Sequence, residues 1–134
     1  MAGNGIISDV ARRFLARYID SVERIEVLHL LQRDPAKKWS AKTVASALGI
    51  RQSAADRQLA KLCAFNLLNV QIAHDLFYWY EPRPPALERE AAATLDDYQR
   101  HRLAVINLIA GSPEEPVRSF ADAFRLTKKD DSDG

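Results

Sequence analysis

One glycine, set inside an otherwise unbroken helical pattern, constrains this chain more than any other residue. From Ser40 to Leu68 the sequence reads SAKTVASALGIRQSAADRQLAKLCAFNLL. Val44, Ala45 and Leu48 recur at helical spacing, and Gly49 then stands where the chain needs a left-handed or otherwise strained residue. Ile50 is apolar, the polar run Arg51-Gln52-Ser53 follows, and Ala55, Leu59 and Leu62 repeat at helical intervals. Two helices joined by a tight turn are predicted. Two apolar strands come next, LLNVQIA and LFYWYE, separated by the short polar turn His74-Asp75.

This is the outline of a helix-turn-helix whose second helix is free to lie in a DNA major groove, extended by a hairpin into a winged helix. On these residues the chain resembles the winged helix-turn-helix superfamily, in the company of MarR-like and ArsR-like bacterial regulators. The resemblance covers Asp20 to Pro82 and rests on Leu48-Gly49-Ile50, on Leu59 and Leu62, and on Asn66-Leu67-Leu68. The family usually has Gly where this chain has Asn66, and Asn tolerates left-handed backbone better than other residues with a side chain. The resemblance implies a DNA-binding regulator, although winged helices also serve as protein-interaction modules and fold does not dictate activity.

The fold class is therefore mainly α with a small β-hairpin, a winged helix-turn-helix core carrying a long C-terminal helix. Residues 1–19 are read as an amphipathic helix, from about Ser8 to Ile19, with Val10, Phe14, Leu15 and Tyr18 on one side. The winged unit occupies 20–82. Its first helix is capped by Asp20 with Glu23 three residues on, carries Val22, Ile25, Leu28 and Leu31, and ends before Pro35. Ser40 caps the next helix, and the recognition helix spans about Gln52 to Phe65. Residues 83–126 hold a packing region: one helix from Ala86 to Ala110, ended by Gly111, then a short helix around Val117 to Phe124. The polar tail, 127–134, is expected to be disordered.

Net charge decides little until it is divided by region. The whole chain of 134 residues carries +1. Arg33 to Phe65 holds seven bases against two acids, a balance of +5, whereas the residues from Asn66 onward sum to −4. Positive charge is concentrated on the helix-turn-helix, as expected of a face that meets phosphates. The single cysteine, Cys63, excludes an internal disulfide framework and suits a reducing compartment. No basic segment followed by a long apolar one opens the chain, and no apolar run approaches the ~20 residues of a membrane span. A cytoplasmic protein without membrane association is expected.

With Ala55, Leu59 and Leu62 turned inward, Gln52, Ser53, Asp56, Arg57, Ala60 and Lys61 stay accessible. The resemblance places Gln52, Ser53, Ala54 and Arg57 at positions that commonly touch DNA, and each has suitable chemistry. Gln pairs with adenine and Arg with guanine at two points each, Ser bonds a base edge or phosphate, and Ala meets a thymine methyl. Lys42, Arg51 and Lys61 would instead neutralise phosphates and position the protein, and Lys38 completes the expected DNA-binding set. Asp56 argues the other way, because an acid near the groove repels phosphate. So does the wing: no base occurs between Leu67 and Tyr80, and the tip is Ala73-His74-Asp75.

Along the C-terminal helix Leu87, Ala91, Leu95, Tyr98, Arg102, Val105 and Ile109 form a stripe broken only by Arg102. So long a helix overhangs a compact core, and Leu87, Leu95, Tyr98, Val105, Ile106 and Ile109 are the expected homodimer interface. Packing of the first helix along the same stripe is the intramolecular alternative. Catalysis has little support. His29, His74 and His101 lie in different elements, zinc spacing and HExxH are absent, and no phosphate-cradling loop or GxSxG elbow occurs. The expectation is a non-enzymatic, metal-free and cofactor-free regulator whose partners are double-stranded DNA and a second copy. A protein-binding adaptor, using the aromatic strand Phe77 to Tyr80 or the long stripe, is the rival.

Overall fold

The computed structural model describes residues 6–111. Helix α1, Asp9–Tyr18, is opened by Ser8, whose Oγ accepts from the Ala11 N–H. Its inner face, Ala11, Phe14 and Leu15, packs against the C-terminal part of the chain, which realises the intramolecular alternative for this helix. Ser8 also donates from both N and Oγ to the buried carboxylate of Asp97, at 3.0 and 3.1 Å, locking the entry of α1 to that region.

Helix α2, Val22–Arg33, starts one residue later than the sequence suggested. The cap is Ser21, which accepts from the Arg24 N–H; Asp20 instead pairs with the Arg24 guanidinium at 3.3 Å. A hydroxyl and a carboxylate stood side by side in sequence, and the buried Arg24 claimed the carboxylate. Ile25, Val27, Leu28 and Leu31 fill the centre of the core. Helices α3, Ala41–Leu48, and α4, Gln52–Ala64, pack on each other across the turn at Gly49.

Strands β1, Leu68–Ile72, and β2, Leu76–Tyr80, pair antiparallel with Leu68 opposite Tyr80 and Ile72 opposite Leu76. Asn66 holds φ +67°, the left-handed backbone that Asn tolerates better than other residues with a side chain, and the Leu67 N–H closes α4 on the Leu62 carbonyl. One pairing had no sequence signal. Trp39 exchanges two 2.7 Å backbone hydrogen bonds with Tyr78, so the segment between α2 and α3 adds a one-residue third strand to the hairpin. Of the four aromatics in β2, Tyr78 alone is fully buried; Phe77, Trp79 and Tyr80 are half-buried.

The single helix expected from Ala86 to Ala110 is two: α5, Pro85–Arg100, and α6, Arg102–Ile109. His101, at φ −134° and ψ 56°, breaks it. The break falls beside Arg102, the one charge in the apolar stripe. A straight helix would carry that guanidinium into the core. Bent, the chain sets it against Glu26 of α2 and over the Tyr98 ring, and still buries Val105. The short helix expected around Val117 to Phe124 and the tail lie outside the described residues.

Candidate nucleic-acid interface

The turn that presents α4 is built from local chemistry. Ser40 and Thr43 cap α3 reciprocally, the Ser40 Oγ accepting from the Thr43 N–H and the Thr43 Oγ1 from the Ser40 N–H. At its other end Gly49 sits at φ +69°, and the N–H groups of Gly49 and Ile50 both reach the Ala45 carbonyl. A Cβ at Gly49 would meet nothing within 4 Å, so the glycine is required by backbone conformation and not by crowding. Arg51 then holds the N-cap of α4 in extended backbone without a side-chain cap bond, and it is exposed.

Helix α4 is fixed from behind by apolar packing and one polar network. Ala55, Leu59 and Leu62 are fully buried. Gln58, also buried, accepts at Oε1 from the Arg24 Nε at 2.9 Å and donates from Nε2 to Glu23 at 2.8 Å. Arg24 further donates to the Tyr18 carbonyl at 3.1 Å. This network ties α4 to α2 and to the end of α1, and the sequence reading missed it. Arg24 and Gln58 look like surface residues in a one-dimensional pattern.

Opposite that inner face, Arg51, Gln52, Ser53, Asp56, Arg57, Ala60 and Lys61 are exposed and Ala54 is half-buried. The fold thus brings Arg51, Gln52, Ser53, Ala54, Arg57 and Lys61 onto one helix and its cap. Lys42 is exposed on α3, and Lys61 stands 5.7 Å from the Phe65 ring centroid. Lys38 lies apart from this group. Its Nζ donates to Gln71 Oε1 on the hairpin at 2.8 Å.

The six residues expected at a dimer interface separate into two groups. Leu87, Leu95, Tyr98 and Val105 are buried within the chain itself, whereas Ile106 and Ile109 are half-buried. Leu103, absent from that expectation, is 71% exposed on α6.

A second polar cluster joins α2 to α5 and α6. The Tyr98 hydroxyl donates to Glu26 at 2.9 Å, Arg102 pairs with the same carboxylate, and burial followed by Glu26 pushes the phenol pKa to about 12. His29 stands edge-on to Tyr98, ring centroids 5.4 Å apart, with Nε2 buried and unpartnered. Burial first, then Arg33 and Arg102, lower the imidazole pKa below 6.5, against an opposing pull from Glu26. A base with a depressed folded pKa binds fewer protons folded than unfolded. Its contribution is complete above the unfolded pKa and is lost as pH falls through 6.5 toward the folded value. His29→Gln should therefore flatten the acid-side fall of the urea midpoint between about pH 7 and pH 5. An unchanged profile would assign that fall to other groups.

Among the described residues no group of three or more His, Cys, Asp or Glu is placed to hold a metal ion, and no helix is long and apolar enough to cross a membrane. Cys63 is half-buried and burial raises its thiol pKa.

No family model and no curated protein matches the chain. Among solved structures it is similar to a mutant of MepR from S. aureus, with 13% identity, 89% of this chain and 86% of that one covered, and a TM-score of 0.53. It is also similar to the heme sensor protein PefR from Streptococcus agalactiae in complex with heme, with 14% identity, 87% and 80% covered, and a TM-score of 0.50. The likeness is one of fold: a winged helix with helices before and after it.

Proposed function

We propose that this winged helix binds double-stranded DNA through α4 and regulates transcription as a homodimer. One observation carries the reading. A helix anchored from behind by Leu59, Leu62 and Gln58 offers Gln52, Ser53 and Arg57 to solvent, and no hydrogen bond or ion pair within the described residues engages Arg57. Side chains able to pair with base edges, left unused on an accessible helix, are what major-groove reading needs. Lys42, Arg51 and Lys61 supply phosphate contacts around them.

The test is retention on a random-sequence duplex pool across a salt series, with Arg57→Ala alongside. Binding that weakens steeply with salt and enriches a palindrome supports a dimeric sequence reader. Arg57→Ala should cost about 1–3 kcal/mol and relax preference at one base position. Uniform weakening across sequences would reduce Arg57 to a phosphate contact.

For the dimer, the apolar surface left over on α6, Leu103 with Ile106 and Ile109, supports pairing with a second copy. Wild-type protein should sediment at twice the chain mass and Leu103→Glu as a monomer. A dimeric Leu103→Glu would place the interface elsewhere.

The rival, a protein-binding adaptor, draws on the hairpin tip. Ile72 is 78% exposed opposite the exposed Leu76, and no base lies between Leu67 and Tyr80. Absence of duplex binding at low salt would select it.

A further inference from the structure

The hairpin poses a problem for the DNA reading, because its own residues bring no cation to the phosphate backbone. The third strand solves it. The Trp39–Tyr78 bridge lays Lys37 and Lys38 along the hairpin's edge. Each lysine stands over one of the chain's two tryptophans: Lys37 Nζ is 4.0 Å from the Trp39 ring centroid, and Lys38 Nζ is 4.9 Å from that of Trp79. Lys38 is further oriented by Gln71, which faces Phe77 across the ladder, two residues from Trp79. The Trp79 ring is itself held, its Nε1–H donating to Glu81 at 2.9 Å while Asn69 donates to the same oxygen. These two donors hold the Glu81 carboxyl below its usual pKa.

Both lysines are nevertheless exposed. An ammonium has three donors, and Gln71 takes one from Lys38 while the ring face takes none. Long lysine side chains at a surface normally lose conformational entropy when they bind. Here the aromatic seats have already restricted them. A preorganised cation pair, within the segment from Arg33 to Phe65 whose net charge is +5, fits an extended polyanion with regularly spaced charges.

Resting on the DNA reading above, we propose that Lys37 and Lys38, seated on Trp39 and Trp79, grip the phosphate backbone of duplex DNA and replace the cations that the hairpin tip lacks. They position the protein and read no base.

The experiment uses full-length protein and a random-sequence duplex, comparing wild type, Lys37→Gln/Lys38→Gln and Arg57→Ala over a salt series. Each phosphate contact contributes about 0.9 to the slope of log affinity against log salt. The double lysine variant should therefore have a slope shallower by about 1.8 and weaken equally on every duplex. Tryptophan emission, which comes only from the two rings beneath the lysines, should change as duplex saturates the wild type. An unchanged slope, or emission that stays constant at saturation, overturns the proposal while leaving DNA binding by α4 intact. Failure of wild type to bind at low salt removes the DNA reading and this inference together.

Discussion

Leu59→Ala should lower the unfolding free energy by about 2–5 kcal/mol, a large share of the roughly 5–15 kcal/mol that holds a domain of this size together. Leu59 is fully buried on the inner face of α4, within the cluster that includes Ile25, Leu28 and Leu62. Truncation removes the transfer energy of the lost carbons and leaves a void that close-packed neighbours only partly fill. The functional consequence is indirect, since no atom of Leu59 reaches the surface. Its side chain fixes how α4 sits on α2, and so where Gln52, Ser53 and Arg57 point. A urea titration with unchanged m-value would read the loss directly. A change below about 1 kcal/mol would mean that the inner face of α4 is far looser than a packed core.

The second large effect is polar. Gln58→Leu should cost about 3 kcal/mol, because it strands the Nε–H of Arg24, a residue that is only 7% exposed. Removing one partner of a buried charged network leaves the other without solvent or acceptor. Replacing both by apolar side chains removes the problem. Arg24→Met/Gln58→Leu should accordingly recover much of the loss, giving a strong non-additive interaction in a double-mutant cycle. Additive costs would show that Arg24 finds sufficient compensation in the Tyr18 carbonyl and Asp20. Gln58 lies one residue beyond Arg57, so this cycle also separates the buried anchoring face of α4 from its exposed face. The anchoring variants should change stability, whereas Arg57→Ala should change affinity.

Much of the winged core was legible because its signals are local. Gly49 and Asn66 mark left-handed turns by what their backbones tolerate, and both adopt positive φ. The spacing of Ala55, Leu59 and Leu62 assigned the inner face of α4, and with it the exposed face of Gln52, Ser53, Arg57 and Lys61. Capping was read less well where donors and acceptors crowd together. Asp20 looked like a cap until the buried Arg24 is seen to occupy it, and Thr43 completes a capping box that a search for Glu or Gln at that position passes over.

Sequence alone determined the order of elements in the winged core, the turn glycine, the hairpin and the concentration of positive charge on the helix-turn-helix, since each is read from residue identity or from short-range periodicity along the chain. Tertiary structure decided the rest. It bent the C-terminal helix at His101 so that Arg102 meets Glu26, a residue 76 positions away in the chain. It turned Leu87, Leu95, Tyr98 and Val105 toward the chain's own core and left Leu103 outside. It also carried Lys37 and Lys38 to the hairpin through the Trp39–Tyr78 bridge. Helical and strand periodicity say which face of an element is apolar. Which partner covers that face, and which distant charge answers a buried one, is fixed only when the elements pack.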